Sequence, residues 1–211
     1  MTDVWSRRAD AFRESPSHRE GRDLDLLVEW AEGETALDVA TGGGHVGRRL
    51  RDRGLTVVTC DPAPAMQPDV ICRAEDLPFA DESFDVVACR RAAHHFEGGG
   101  AAVAEMARVA RRLVLVADLL YEDERYEEAH RVRDPTHVRS YSEEEWRALL
   151  EGAGFELETG EVIEGSTELG PWLERVECFG QCAERVRGLL AHRLHGDTLP
   201  MRLVVLKGRN R

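Results

Sequence analysis

The sequence predicts an α/β fold, a seven-stranded and mostly parallel sheet with helices on both faces. Short, nearly continuous apolar runs such as Thr35-Ala36-Leu37-Asp38-Val39 and Val86-Val87-Ala88-Cys89 read as strands covered on both sides. These runs alternate with segments of helical period or turn composition. One of them runs directly into Gly42-Gly43-Gly44, a loop that opens a helix.

Taken in order, Leu24, Leu27, Val28 and Ala31 recur at three- and four-residue spacing, so residues of about 1–32 are expected to be helical, interrupted at Ser15-Pro16-Ser17. A strand over 35–39 is followed by a helix over 46–52 that stops at Gly54. Further strands are predicted over 55–60, 70–72 and 84–89, an alanine-rich crossover helix over 101–110, and a fifth strand over 113–117. The charged stretch 121–139 reads as surface rather than core. Ser142, three residues ahead of Glu145, makes a capping box for a helix that runs to Leu150 and is ended by Gly152 and Gly154. Two closing strands, 155–163 and 201–206, flank a helix-bearing insertion at about 165–195. One domain over 1–211 is expected.

Composition narrows the function. With 28 basic and 40 acidic residues the net charge is -12, which repels phosphate backbones and anionic lipid, so neither nucleic acid nor a membrane is an expected partner. A monomer or homodimer acting on a small molecule is expected. The start, Met1-Thr2-Asp3-Val4-Trp5, lacks the basic-then-apolar order of a secretory signal, so a cytoplasmic address is expected. The five cysteines are odd in number and scattered, and they read as reduced thiols. Cys178 and Cys182, followed by His192 and His195, lack finger or ribbon spacing and read as helical core, so no metal is expected.

The most informative segment is Leu37-Asp38-Val39-Ala40-Thr41-Gly42-Gly43-Gly44-His45-Val46-Gly47. Gly42 to Gly47 satisfies G-x-G-x-x-G, the dinucleotide fingerprint, and an NAD-linked oxidoreductase is one reading of it. Asp38 argues against that reading, because a carboxylate just ahead of the loop repels a pyrophosphate and suits ammonium and sulfonium charge. Asp61 ends the next strand, one strand-helix-strand unit later, where an acidic side chain accepts ribose hydroxyls. The competing reading makes Asp61-Pro62 a turn and Asp38 a helix cap.

These residues resemble the first motif of class I S-adenosylmethionine-dependent methyltransferases, whose fold is Rossmann-like. Ala74-Glu75-Asp76-Leu77-Pro78-Phe79 and Ser83-Phe84-Asp85-Val86-Val87 resemble the next two. Within that superfamily the chain is most similar to the ubiquinone/menaquinone-biosynthesis-like group, through Cys89-Arg90-Arg91-Ala92-Ala93-His94-His95-Phe96 and Arg133-Asp134-Pro135-Thr136-His137-Val138-Arg139. The resemblance implies S-adenosylmethionine as cofactor. Asp38, Ala40, Thr41, Gly42 and Gly44 would surround its methionine end, with Ala40 in place of the usual first glycine, and Asp61 would take the ribose. Arg73, Ala74 and Glu75 would face the adenine, where Arg73, having only donors, would stack over the ring. Arg90 would lie near the sulfonium. Pro62, Pro64 and Pro68 leave too little chain for the usual crossover helix, so that wall of the pocket is open to remodelling. A methyltransferase-like binding protein without turnover is the second rival reading.

His94 and His95 follow the fourth strand at the ligand-bearing edge, where a histidine would serve as the base that deprotonates an acceptor. As sequence neighbours they are expected to point apart. His137, Arg139 and Tyr141 are the candidate substrate contacts. Arg90, Arg91, Arg131, Arg133 and Arg139 would favour an acidic acceptor, against the alternative of a solvated charge run.

Overall fold

The computed structural model describes residues 2–211, with side chains from Val4 onward; Met1, where the expected N-terminal helical segment begins, lies outside them. Helices α1 (Thr2–Glu14), α2 (Pro16–Arg19) and α3 (Arg22–Trp30) precede the sheet. The chain then alternates through β1 (Thr35–Val39), α4 (His45–Asp52), β2 (Thr56–Asp61), β3 (Val70–Ile71), β4 (Phe84–Arg90), α5 (Gly99–Val109) and β5 (Ala110–Leu119). After α6 (Glu124–Arg133) and α7 (Glu143–Gly152) come β6 (Phe155–Glu168), α8 (Leu169–Glu174), α9 (Gln181–Leu190) and β7 (Thr198–Asn210).

Among the described residues the seven strands form one sheet in the order β3-β2-β1-β4-β5-β7-β6. Every pairing from β3 to β5 is parallel, and β7 inserts antiparallel between β5 and β6. The two-residue period of the strands sorts their side chains onto two faces. Leu37, Val87, Val114 and Val116 meet α5 and α7 through Val103, Met106, Trp146 and Leu150. Ala36, Val86, Leu113 and Leu115 meet α3 and α4 through Leu24, Leu27, Val46 and Leu50. Complete burial of such side chains is worth roughly 1.5–3 kcal/mol each, which is what holds the helices on the sheet. The Ser142 hydroxyl accepts the Glu145 amide while the Glu145 carboxylate accepts the Ser142 amide, closing the capping box at the start of α7.

Two expectations are corrected. The stretch 121–139 is not a surface segment: α6 buries Tyr126, Glu127, Ala129 and His130, and packs with α8 and α9 in a third core. Its inward face carries two buried apolar residues, Tyr126 and Ala129, and the partly buried Val132, interleaved with buried glutamate and histidine, so its sequence shows only a weak apolar stripe. Cys178 and Cys182 are not reduced thiols but a disulfide. Glu177 and Gly180 both adopt left-handed backbone between α8 and α9, and this turn brings the two Cα atoms within 5.4 Å. Among the described residues no helix is long and apolar enough to cross a membrane.

Candidate active site

The parallel strands end at one edge of the sheet, and the loops leaving β1, β2 and β4 enclose a cleft there. The chain leaves β1 through Ala40 at φ 53° and Gly42 at φ 50°. A left-handed residue with a Cβ costs roughly 1–2 kcal/mol, so Ala40 holds strain that glycine would avoid, at the place where the loop must turn toward the cleft. Gly44 caps α4 at φ 74° and does not itself line the cleft.

Asp38 is buried at the end of β1, where its Oδ2 accepts the Thr41 hydroxyl at 2.5 Å and the Gly47 amide at 2.9 Å. It therefore caps α4 and lines the cleft at once. Burial pushes its carboxyl up to about 6 despite those two bonds, and the nearby Asp61 carboxylate adds to the rise. A buried acid held at this level, with no cation paired to it among the described residues, is suited to a positively charged ligand. Asp61 is anchored by the Gly42 amide at 3.0 Å on Oδ2 and the Ala63 amide at 2.9 Å on Oδ1. Burial raises its pKa against these two amides. A carboxylate offers about four lone-pair sites, so acceptor capacity remains for ligand hydroxyls.

Arg73, Ala74 and Glu75 line the same cleft. The expected stacking role of Arg73 is corrected: its guanidinium is tied on the rim, 3.2 Å from both Glu75 and Glu97, because those two carboxylates converge on it. In place of a crossover helix, residues 64–66 make a single 3-10 turn. That wall is completed by α1, which packs Ala9 against Ala63 and Met66 and extends Trp5 and Phe12 into the cleft. The Trp5–Phe12 pair, seven residues apart on one helix face, was the available signal for this roof.

Arg90 lines the cleft, but its guanidinium is committed elsewhere. It donates from Nε and Nη2 to Asp23 at 2.7 and 3.1 Å, and from Nη1 to the His18 carbonyl at 2.6 Å. Arg91 donates to the same carboxylate at 2.8 Å. Burial alone would push Asp23 up, and the Arg91 and Arg90 guanidiniums outweigh it, holding the carboxyl below its usual range. Asp23 is thus the link between α3 and the loop after β4, a role invisible in the sequence.

A second cavity, of about 380 Å³, adjoins the cleft. Phe12, His18, Arg91 and His95 border both. His94 and His95 do not point apart: their ring centroids are 4.1 Å from each other, because the 3-10 turn over 93–95 brings both side chains to one side. His94 Nδ1 is 2.5 Å from Asp118 at the end of β5, whose other oxygen accepts the His94 amide at 2.9 Å. This fixes the imidazole with Nδ1–H toward Asp118 and leaves Nε2 as the basic nitrogen. His95 Nδ1 donates to the Thr136 carbonyl at 3.0 Å, and Trp5 packs on its ring at 4.5 Å. Burial, followed by the repulsion of His94, pushes His95 well below the usual histidine range, so it is neutral.

The candidate substrate contacts fare differently. His137 lines neither cavity; its Nε2 lies 2.8 Å from the buried Glu127 carboxylate. Arg139 and Tyr141 also stand outside both cavities. The capping-box residue Glu145 draws Arg139 to 2.5 Å, and the guanidinium rests on the Tyr141 ring. Tyr141 packs against Trp146 and fills the space beside Gly99, held there by a bridge to Leu120 at the end of β5. Arg131 is exposed and pairs with Glu124.

A parallel sheet with one antiparallel strand next to its edge, bearing an acid-flanked glycine loop, is the architecture of the class I methyltransferases. A methyltransferase-domain family profile matches residues 37–116, from β1 through most of β5. The chain is similar to the uncharacterized methyltransferase YcgJ of Bacillus subtilis, 29% identical over 218 aligned positions that cover 92% of this chain and 85% of YcgJ. A Bacillus halodurans protein solved as a candidate methyltransferase superposes with a TM-score of 0.77 at 27% identity, over 90% of this chain and 99% of that one. A demethylmenaquinone methyltransferase of Beutenbergia cavernae is 38% identical over 89 residues, 37% of each chain. The profile match and these likenesses support a methyltransferase of class I. The oxidoreductase reading is set aside accordingly.

Proposed function

We propose that the protein transfers a methyl group to a small, acidic acceptor held in the second cavity, with S-adenosylmethionine in the cleft of the glycine loop. The observation that carries this reading is the shared border: Phe12, His18, Arg91 and His95 face both cavities, so two ligands meet there and nowhere else along the cleft. The residues present fit the cofactor. Asp61 keeps free lone pairs for two ribose hydroxyls, the uncompensated Asp38 carboxylate suits the ammonium and sulfonium end, and Glu75 on the adenine side supplies the acceptor that Arg73 lacks. When bound, the cofactor supplies an electrophilic methyl group whose transfer is downhill. What remains for the protein is to place the nucleophile in line, exclude water and take up a proton.

His94 is the base in this reading, with Asp118 as its positioning residue, while Trp5 and His95 form the dry wall between the ligands. The demethylmenaquinone methyltransferase, a small-molecule enzyme by its name, supports the ubiquinone/menaquinone-like subgroup over 37% of the chain only. Labelled methyl transfer, screened over acidic and neutral acceptors, tests the reaction. With the best acceptor, His94→Gln is expected to lower kcat by roughly 10²- to 10⁴-fold with little change in KM. Full activity in His94→Gln would remove it as the base. Titration calorimetry with S-adenosylhomocysteine tests the cofactor site: Asp61→Ala is expected to weaken binding roughly ten- to a hundredfold. Unchanged affinity in a folded variant would take Asp61 out of the site.

A further inference from the structure

We infer that the second cavity selects its acceptor by a carboxylate, held by Arg133 and Arg175 with His130 beside them, at the end away from methyl transfer. The inference rests on the reading of that cavity as the acceptor pocket. Both arginines and His130 line it, and none of the three borders the cofactor cleft. The acceptor's nucleophile and its charge are therefore separated along the cavity.

The charges there are unbalanced. Asp23 is consumed by Arg90 and Arg91, Asp134 is paired with Arg8 at 3.0 Å, and Glu164 is exposed at the rim. Arg22 turns out to Glu29 and Glu161. Among the described residues this leaves Arg133 and Arg175 with no paired carboxylate. The guanidinium of Arg175, just past α8, makes no hydrogen bond or ion pair among the described residues, although the residue is half-buried. Arg133 donates only to the Trp172 carbonyl, at 3.0 and 2.8 Å, with its guanidinium 4.0 Å over the Trp172 ring. Burial, and then Arg175 and Arg8 against partial relief from Asp134, push Arg133 down to about 9. The same crowding appears at the shared border, where burial together with Arg91, Arg175 and Arg90 holds His18 well below the usual histidine range.

A second, independent observation points to a ligand at this place. His130 is 1% exposed, and its Nε2 is buried without a partner. Burial keeps the ring neutral, with the neighbouring His137 and Arg133 adding to the effect, so Nε2 is free to donate to an oxygen. Two planar guanidinium forks and one imidazole donor match a planar carboxylate, which takes several such bonds at once. A neutral acceptor would bury these groups unanswered, and that is how a polar pocket rejects a ligand lacking its partner.

The test is calorimetry of the full chain saturated with S-adenosylhomocysteine, using benzoate, its neutral isostere benzamide, and phenyl phosphate. Benzoate is expected to bind roughly tenfold or more tighter than benzamide, and Arg175→Gln to abolish that preference. Arg175 has no internal bond to lose, so this variant should melt as the parent does; Arg133→Gln, which gives up the Trp172 carbonyl, serves as the second variant. Equal binding of acid and amide, a preference that survives Arg175→Gln, or no benzoate binding at roughly millimolar concentration would overturn the clamp. Phenyl phosphate bound tenfold tighter than benzoate through Arg175 would overturn the carboxylate assignment. Failure of the parent to bind S-adenosylhomocysteine at all would instead sink the cofactor reading on which the clamp rests.

Discussion

Asp23→Ala is expected to destabilise the fold by about 3–5 kcal/mol, because it leaves the buried Arg90 guanidinium and the half-buried Arg91 guanidinium without their counter-ion. Arg90 and Arg91 share this one carboxylate, and the Asp23 and Arg90 side chains are only 1% and 4% exposed, so water cannot take over. Because the folded-state pKa of Asp23 lies below its unfolded value, its contribution is fully present above the ordinary carboxylate range. It is lost as pH falls below about 3.8 and through the depressed value. Chemical denaturation of parent and variant at pH 7 and in acid measures both effects. A loss under about 1 kcal/mol at pH 7 would show the cluster to be solvated like a surface pair.

Asp38→Asn is expected to act in the opposite direction on stability while weakening the cofactor. The folded protein holds this proton more tightly than the unfolded chain, with a pKa of about 6 against 3.8. Stability contributed by Asp38 therefore falls as pH rises from about 4 to 6, and at pH 7 the ionised group costs about 3 kcal/mol. Asparagine carries no charge, and its carbonyl oxygen still accepts from Thr41 and Gly47. The variant should melt higher than the parent at pH 7, with the gap closing toward pH 4. S-adenosylhomocysteine keeps the ammonium group, so its affinity should fall roughly tenfold or more. A parent that is equally stable and binds equally well would reduce Asp38 to a helix cap. A stability cost borne by a folded enzyme for one carboxylate is expected where that group serves a ligand.

The parts of the site legible in the sequence are those made by contiguous chain. Asp38, Ala40, Thr41 and Gly42 lie on one strand and the turn after it, and Asp61 ends the next strand in the same strand-helix-strand unit. The parallel register of β1 and β2 alone puts both carboxylates at the same edge. The parts misread are those whose surroundings come from elsewhere. Arg139 and Tyr141 belong to a segment that the resemblance places over the active site, yet Glu145, Trp146 and Gly99 already occupy them. The adjacent histidines were misjudged because strand alternation does not apply to a 3-10 turn.

By itself, then, the sequence determined the order and nature of the strands and the glycine loop with its two flanking acids, because each depends on period, turn chemistry and spacing within a few tens of residues; the class of enzyme came from the resemblance those motifs carry. Only the tertiary structure decided which charges are spent and which are free. Asp23 meets Arg90 across 67 positions, Arg8 reaches Asp134 across 126, and among the described residues no carboxylate reaches the Arg175 guanidinium. A guanidinium is written the same way whether a carboxylate stands beside it or not. Its availability is a property of the folded surroundings, since burial sets the strength of each interaction and packing chooses the partners.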